Sequence, residues 1–233
     1  METILTIKKV IYRMLIKNEF QYPVMLNIYG KSCVIIGGGL VAARKLHALG
    51  KAGGKITVVA PEFCGELLQA AEIYEADLMQ EAFKPQHVAD AFITVAATNS
   101  IIVNRHACAA APCLCNNVTE PNLSNFTVPS LIKEGEISVT VATSGVPAFT
   151  RLLKKYLEQQ LKPAFAEFNR FLKEQRSILQ HTDSTPKERT LFWRRVLNED
   201  ILKLLEAEQS AQAKEKVLDA VNSFRTQSQN SSR

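Results

Sequence analysis

Short apolar runs alternate with helix-spaced apolar positions through the first half of the chain. The runs are residues 33–36, 55–60, 91–97 and 114–118, with a shorter one near Ile73–Tyr74. Runs of this length are typical of strands that are buried on both faces. Helical spacing falls between them, at residues 40–49, 66–71 and 101–110. The alternation predicts an α/β fold with a doubly wound parallel sheet.

The pattern changes after residue 120. Residues 126–130 and 137–142 fit two strands joined by Lys133–Glu136, and an isolated hairpin of that size is at best marginally stable in water. A helix follows from Ala148, and from Pro163 to about Phe224 nearly every position fits helical spacing. We therefore expect a small α+β segment after the α/β domain, and then a helical C-terminal region.

The first strand runs directly into a glycine turn and a helix. Gly37, Gly39 and Ala42 fit G-x-G-x-x-A, a dinucleotide-binding fingerprint of Rossmann folds. Gly37 permits the tight turn, Gly39 lets a pyrophosphate approach the backbone, and Ala42 lets the helix lie close to the sheet. The helix N-terminus would offer unpaired N–H groups to the phosphates. We predict dinucleotide binding, against the alternative of a strand–turn–helix unit that binds nothing.

The ends of two later strands bear on the choice of cofactor. Ala60 and Pro61 end the second strand and Glu62 follows, with no arginine there to receive a 2′-phosphate. This favours NAD over NADP. Thr98 and Asn99 follow the strand at 91–97, at the sheet edge where open α/β folds bind ligands.

Composition and charge narrow the class of protein. Hydrophobic residues make up 46% of the 233 positions and the formal charge is +5, which suits a folded protein with a mild attraction to anions. The apolar positions of residues 1–20 are interrupted by lysines and an arginine, which predicts an amphipathic extension and no secretory signal. With no apolar run long enough to span a membrane, we expect a cytoplasmic protein that binds no membrane.

The cysteines and histidines indicate neither a disulfide framework nor a metal site. Five cysteines are an odd number, and we expect them to be small buried hydrophobic residues. Cys113-x-Cys115 lacks the second pair of ligands that a zinc site needs. The four histidines are scattered along the chain, and no metal ligand is predicted.

Several segments together resemble one known family. They are residues 22–26, the glycine turn with Arg44–Lys45, residues 58–61, residues 96–99, and residues 116–121 leading to Phe126 and Pro129–Ser130. In these segments the chain resembles the precorrin-2 dehydrogenases of the siroheme synthase N-terminal type, some of which are also sirohydrochlorin ferrochelatases. The resemblance covers residues 22 to 161. It implies NAD-dependent oxidation of precorrin-2, a tetrapyrrole, to sirohydrochlorin in siroheme biosynthesis.

The residue pattern and the resemblance together predict an organisation of the chain. The expected parts are an N-terminal extension (1–21), an NAD-binding Rossmann domain (22–120), a dimerisation segment (121–162), a helical C-terminal domain (163–225) and a disordered tail (226–233). Family members are homodimers, and a partner subunit would cover the predicted hairpin.

Site residues carry over from the family by position. The resemblance assigns cofactor binding to Gly37, Gly39, Leu40, Val41, Ala60, Pro61, Glu62, Thr98 and Asn99, and substrate binding to Asn116, Asn117, Thr143 and Ser144. Many members carry a catalytic aspartate where this chain has Thr119, followed by Glu120. A threonine is no acid or base near neutral pH, so we expect dehydrogenation with weak or absent iron insertion, and Glu120 is the other candidate.

Two further questions stay open at the level of sequence. The basic residues of the C-terminal half could bind the carboxylates of a tetrapyrrole or simply face solvent; they are Arg151, Lys154, Lys155, Arg170, Arg176, Arg194 and Arg195. Alternative functions are a catalytically silent tetrapyrrole-binding homologue and an NAD-sensing binding module. Nucleic-acid binding is not expected, because no helix-turn-helix pattern is recognisable.

Overall fold

The structure, a computed structural model, describes residues 21–143 and 145–231, with only the backbone for the last four of these. The predicted N-terminal helix and Ser144 therefore lie outside the described residues. Two compact units divide at Thr127 and Val128, and each is considered separately. None of the described helices is both long enough and apolar enough to cross a bilayer.

The first unit is built on a parallel sheet of five strands in the order β3-β2-β1-β4-β5. The strands are β1 (Ser32–Ile36), β2 (Lys55–Val59), β3 (Asp77–Met79), β4 (Ile93–Ala96) and β5 (Leu114–Asn117). Strand order reverses direction beside β1, as it does in dinucleotide-binding sheets. The predicted doubly wound parallel sheet is confirmed.

One strand was predicted in the wrong place. Ile73 ends a helix, and Glu75 adopts a positive φ of 51° that turns the chain before β3 begins at Asp77. The apolar pair Ile73–Tyr74 therefore belongs to a helix end. The side chains of β3 are exposed, so no apolar run marks this edge strand.

Helices cover both faces of the sheet. They are α1 (Leu40–Lys51), α2 (Gly65–Ile73) and α3 (Ile101–Ala110), with 3₁₀ turns at Pro85–Val88 and Pro121–Leu123. On one face Ile35 and Val58 pack with Leu46 of α1 and Leu67 of α2, all fully buried. On the other face Val34, Ile36 and Val59 pack with Val88 and Ala107. Burial on both faces explains why these strands are continuously apolar.

The second unit joins a hairpin to five helices within the described part of the chain. Its elements are β6 (Ser130–Glu134), β7 (Ile137–Val141), α4 (Pro147–Gln160), α5 (Pro163–Gln180), α6 (Pro186–Val196), α7 (Glu199–Glu206) and α8 (Ser210–Ser231). The strands are antiparallel, and Gly135 between them has a φ of 57°. The strand predicted at 126–130 begins only at Ser130. α8 continues through Thr226, where the sequence suggested the start of a disordered tail.

The helices of the second unit have a core of their own. Phe192 is 2% exposed and packs against the rings of Trp193 and Phe224, at centroid distances of 5.0 and 4.8 Å. Leu179 and Val217 are fully buried in the same cluster. At the start of α6, Thr185 and Glu188 form a reciprocal capping box.

The cysteines correct the sequence-based expectation. Cys108 on α3 and Cys115 on β5 form a disulfide, with Cα atoms 5.5 Å apart, and Cys113 is exposed. Only Cys33 among the unpaired thiols is fully buried, and burial raises its pKa to about 11. The pair forms because α3 packs beside β5, which brings residues seven positions apart into contact. An odd number of cysteines gave no sign of this pairing.

Candidate functional site

A cleft of about 850 Å³ lies at the carboxyl ends of β1, β2 and β4. Its wall comes from the β1–α1 turn, the segment after β2 and the segment after β4. All nine residues to which the sequence assigns cofactor binding line this cleft: Gly37, Gly39, Leu40, Val41, Ala60, Pro61, Glu62, Thr98 and Asn99. The parallel sheet brings them together because its strands end at one edge.

The glycines of the turn have three different environments. A Cβ on Gly37 would lie 2.5 Å from the carbonyl oxygen of Ala97, and the residue has a φ of 124°. A Cβ on Gly38 would lie 1.8 Å from the carbonyl oxygen of Glu62. A Cβ on Gly39 would meet nothing within 4 Å. Gly37 and Gly38 are therefore required by the packing of the turn, whereas Gly39 opens onto the cleft.

The space beside Gly39 fits a pyrophosphate. Gly39 is the N-cap of α1, so the N–H groups of Leu40, Val41 and Ala42 have no partner within the helix. These groups and the positive end of the helix dipole favour an anion there. Ala42 is fully buried and keeps α1 close to the sheet. A dinucleotide pyrophosphate at this point would occupy the position that a side chain at residue 39 would fill.

The segment after β2 supplies one charged side chain to the cleft. Glu62 is exposed and is the single charged residue among those described as lining it. Pro61 is anchored by its carbonyl oxygen, which accepts a hydrogen bond from Gln80 Nε2 at 3.2 Å. A carboxylate at this position can accept from ribose hydroxyls and repels a phosphate.

Asn104, which the sequence reasoning missed, holds the segment after β4. Its buried amide accepts from the backbone N of Thr98 at 3.0 Å and donates to the carbonyl oxygen of Thr98 at 2.9 Å. The Thr98 hydroxyl also donates to Asn104 Oδ1, at 2.7 Å. Two bonds to the backbone fix both the orientation of the amide and the position of Thr98 beside the cleft.

Asn104 extends this network to Thr119. Asn104 Nδ2 donates to Thr119 Oγ1 at 3.1 Å, and Thr119 Oγ1 donates to Asn117 Oδ1 at 2.8 Å. Asn117 Oδ1 also accepts from the backbone N of Thr119 and of Glu120, both at 3.0 Å. Thr119 therefore acts as a hydrogen-bonded link between two buried amides. Asn117 Nδ2 has no hydrogen-bond partner among the described residues.

Glu120 is held by an arginine on α3. Its carboxylate accepts from Arg105 Nε at 2.7 Å and from Arg105 Nη2 at 2.6 Å, a bidentate pair. These hydrogen bonds, with the charge of the guanidinium, hold the pKa of the Glu120 carboxyl below its usual 4.5. A carboxylate in this state is a weak base near neutral pH.

Both polar atoms of the Asn116 side-chain amide form hydrogen bonds. Its Oδ1 accepts from Lys45 Nζ at 2.9 Å, and its Nδ2 donates to the carbonyl oxygen of Phe126 at 3.3 Å. Burial, with the charge of Arg44 as a smaller cause, lowers the pKa of Lys45. The two asparagines predicted to bind substrate thus organise the chain after β5, and their contact with substrate stays a prediction.

The remaining predicted residues lie in the second unit or outside the description. The Thr143 hydroxyl donates to the carbonyl oxygen of Val146 at 3.0 Å, just before α4. Ser144 is not described. No group of three histidine, cysteine or acidic side chains that could hold a metal occurs in residues 21–143 and 145–231.

Comparison with known proteins identifies relatives of this chain. Residues 24–130 match the family model described as "Putative NAD(P)-binding". The siroheme synthase of Nitrosospira multiformis is 37% identical over 75% of this chain and 39% of its own length. That of Nitrosomonas europaea is 34% identical over 75% of this chain and 38% of its own length. The chain thus spans about two fifths of these relatives.

A solved structure matches over most of the chain. The precorrin-2 dehydrogenase SirC superposes with a TM-score of 0.68 at 22% identity, covering 84% of this chain and all of SirC. This likeness supports the fold. The chain belongs to the siroheme synthase N-terminal family. Family membership confirms the resemblance drawn from the sequence, and it supports a nicotinamide cofactor for this chain. That this cofactor binds in the cleft stays a prediction.

Two glycine variants should separate cofactor binding from folding. Gly39→Val fills the open space with a branched side chain, so NAD affinity should fall at least tenfold, about 1.4 kcal/mol or more. The free energy of unfolding should fall by about 1 kcal/mol at most, because valine is a less favourable N-cap residue than glycine. Gly38→Ala should destabilise the fold, because its Cβ meets the Glu62 carbonyl. Titration calorimetry and chemical denaturation measure both effects. Unchanged NAD affinity in folded Gly39→Val would contradict the assignment.

The Arg105–Glu120 ion pair should contribute to the decrease in unfolding free energy at acid pH. Because the folded pKa of Glu120 lies below 4.5, the pair stabilises the protein above that pH and is lost as pH falls through the folded value. Arg105→Gln should therefore reduce the decrease in unfolding free energy between about pH 6 and about pH 3. Arg225→Gln, which removes an exposed charge on α8, is the control and should leave that decrease unchanged. Identical pH profiles for all three proteins would disprove the effect.

Proposed function

We propose that this chain oxidises precorrin-2 to sirohydrochlorin with NAD⁺ in the cytoplasm, as a step of siroheme biosynthesis. The observation that carries the proposal is the open position at Gly39, at the N-terminus of α1, in a chain of the siroheme synthase family. The cleft is large enough for the reactive half of a dinucleotide beside the Thr98–Asn99 edge.

The lining of the cleft supports NAD rather than NADP. Glu62 is the single charge that the described lining residues contribute, and a 2′-phosphate would approach it without a compensating cation. The ribose hydroxyls of NAD could instead donate to the same carboxylate.

The chemistry divides between cofactor and protein. Oxidation of precorrin-2 removes two hydrogens, so that precorrin-2 and NAD⁺ yield sirohydrochlorin, NADH and a proton. Bound NAD⁺ supplies the hydride acceptor. The protein positions the reactants, and the Asn104-fixed Thr98 segment keeps the edge of the cleft in one geometry.

The residues near the usual catalytic aspartate favour dehydrogenation over metal insertion. Thr119 uses its hydroxyl proton in the bond to Asn117, and Glu120 is paired with Arg105. Metal insertion needs a base to remove pyrrole protons, whereas hydride transfer depends mainly on positioning. We therefore propose weak or absent ferrochelatase activity.

The direct test is anaerobic incubation of the protein with precorrin-2 and either NAD⁺ or NADP⁺. Sirohydrochlorin absorbance should appear with NAD⁺ and more slowly with NADP⁺. NAD binding without oxidation would contradict the proposal and favour an NAD-sensing module. Tetrapyrrole binding without oxidation would favour a catalytically silent homologue.

Thr119→Asp tests the division between the two activities. The new carboxylate would stand where many family members have one, so iron insertion should rise by at least tenfold while the dehydrogenase rate changes less than threefold, or about 0.6 kcal/mol. Thr119→Asn, similar in size and uncharged, is the matched control and should give no gain. If the unmodified protein inserts iron at a rate close to its rate of precorrin-2 oxidation, Thr119 does not limit metal insertion and the proposal is wrong.

A homodimer is also proposed, built through the α4 region. Phe149, Leu152 and Tyr156 lie at helical spacing on α4 with exposed fractions of 48%, 63% and 59%. Val128 and Leu131 expose further apolar surface in the same unit. Exposed apolar side chains in this number favour association with a partner.

Leu152→Glu should disrupt that association. A charge within the apolar stripe of α4 would have to be desolvated in the interface, so sedimentation should show a dimer for the unmodified protein and a monomer for the variant. Leu202→Glu places the same charge at a half-exposed position on α7 and should stay dimeric. A stable monomer of the unmodified protein at micromolar concentration would end the dimer proposal.

A further inference from the structure

A second cleft lies within the helical part of the second unit, between α5 and α6. It encloses about 620 Å³, a volume suited to a small organic ligand. Its lining residues lie on α5, on α6 and at Leu197, which directly follows α6. This basic groove is defined by residues of one unit alone.

The groove has a single sign of charge. Four of its lining residues are cations, and no carboxylate is among those lining it. Lys173 Nζ donates to Glu136 Oε2 at 2.8 Å, and Arg189 donates to the carbonyl oxygen of Ser184. Arg176 and Arg194 are exposed and form no ion pair with any described residue. Two guanidinium groups therefore remain available to a ligand with at least two carboxylates.

An aromatic residue, Trp193, also lines the groove. Trp193 is half-buried and is held edge-on against buried Phe192, with ring centroids 5.0 Å apart. Leu172 and Leu197 add apolar surface. A flat ring system could pack against such a wall while its acidic substituents reach the arginines.

We propose that the basic groove binds a flat, multiply carboxylated tetrapyrrole at a site separate from the cofactor cleft. The identity of this ligand rests on the proposed function, whereas its chemistry rests on the groove. The structure also divides the basic residues that the sequence left as one group. Arg176 and Arg194 line the groove, but Lys154 lies on α4 and pairs with Glu158 at 3.4 Å.

The groove can be tested with the full chain and a stable tetrapyrrole. Trp193 is the one tryptophan of the sequence and lines the groove, so a porphyrin that binds there quenches its fluorescence. Uroporphyrin I, which carries eight carboxylates, is titrated into the protein saturated with NAD⁺. We expect saturable quenching that weakens as salt is raised, because the contacts are charged.

Variants locate the binding site. Arg176→Gln with Arg194→Gln should weaken uroporphyrin binding about tenfold, the effect of losing two charge-assisted contacts at an exposed site. Lys203→Gln with Arg225→Gln removes the same charge from exposed positions outside the groove and should change affinity less than twofold. Arg176→Lys with Arg194→Lys should fall between, since charge remains and the bidentate geometry is lost.

The outcomes separate this proposal from the proposed function. If the groove variant (Arg176→Gln with Arg194→Gln) and the control variant (Lys203→Gln with Arg225→Gln) bind uroporphyrin equally well, the proposed ligand site in the groove is overturned, even if the protein oxidises precorrin-2. Arginine-dependent binding would support it, even if no oxidation is seen. Binding of a single-stranded oligonucleotide more tightly than uroporphyrin would also overturn it, because it would make the groove a nucleic-acid site.

Discussion

The close approach of three backbone segments at the carboxyl edge of the sheet is the constraint on which the site depends. Gly37 lies against the carbonyl of Ala97 after β4, and Gly38 lies against the carbonyl of Glu62 after β2. Gly37 N donates to Val59 O at 2.9 Å, and Gly38 O accepts from Cys64 N at the same distance. No side chain fits at either glycine. The turn is thereby fixed between its neighbours, and Gly39 is left facing open space at the N-terminus of α1.

A chain of buried amides connects this edge to the segment after β5. Asn104 holds Thr98 beside the cofactor cleft and bonds Thr119, and Asn117 closes the turn that contains Thr119 and Glu120. Buried networks of this kind are stabilising when their polar atoms are paired and costly when they are not. Thr119 is thus part of a structural network in this chain.

The features of the fold and the site that a few consecutive residues encode were predicted from the sequence. Apolar runs located β1, β2, β4 and β5, and the glycine spacing located the cleft, because both signals lie within a few consecutive residues. Asn104 was missed because its partners, Thr98 and Thr119, lie on other elements and leave no periodic signal around it. The Cys108–Cys115 pair was missed for the same reason. β3 was misplaced because an exposed edge strand lacks the apolar run by which buried strands are recognised.

The central claim is that the open position at Gly39 is where the pyrophosphate of the cofactor binds. A crystal structure of the protein with NAD⁺ tests it most directly. The account predicts pyrophosphate oxygens within hydrogen-bond distance of the backbone N–H groups at the start of α1, with the adenosine ribose beside Glu62 and the nicotinamide toward Thr98 and Asn99. A pyrophosphate bound away from the glycine turn, or NAD⁺ bound outside this cleft, would contradict it.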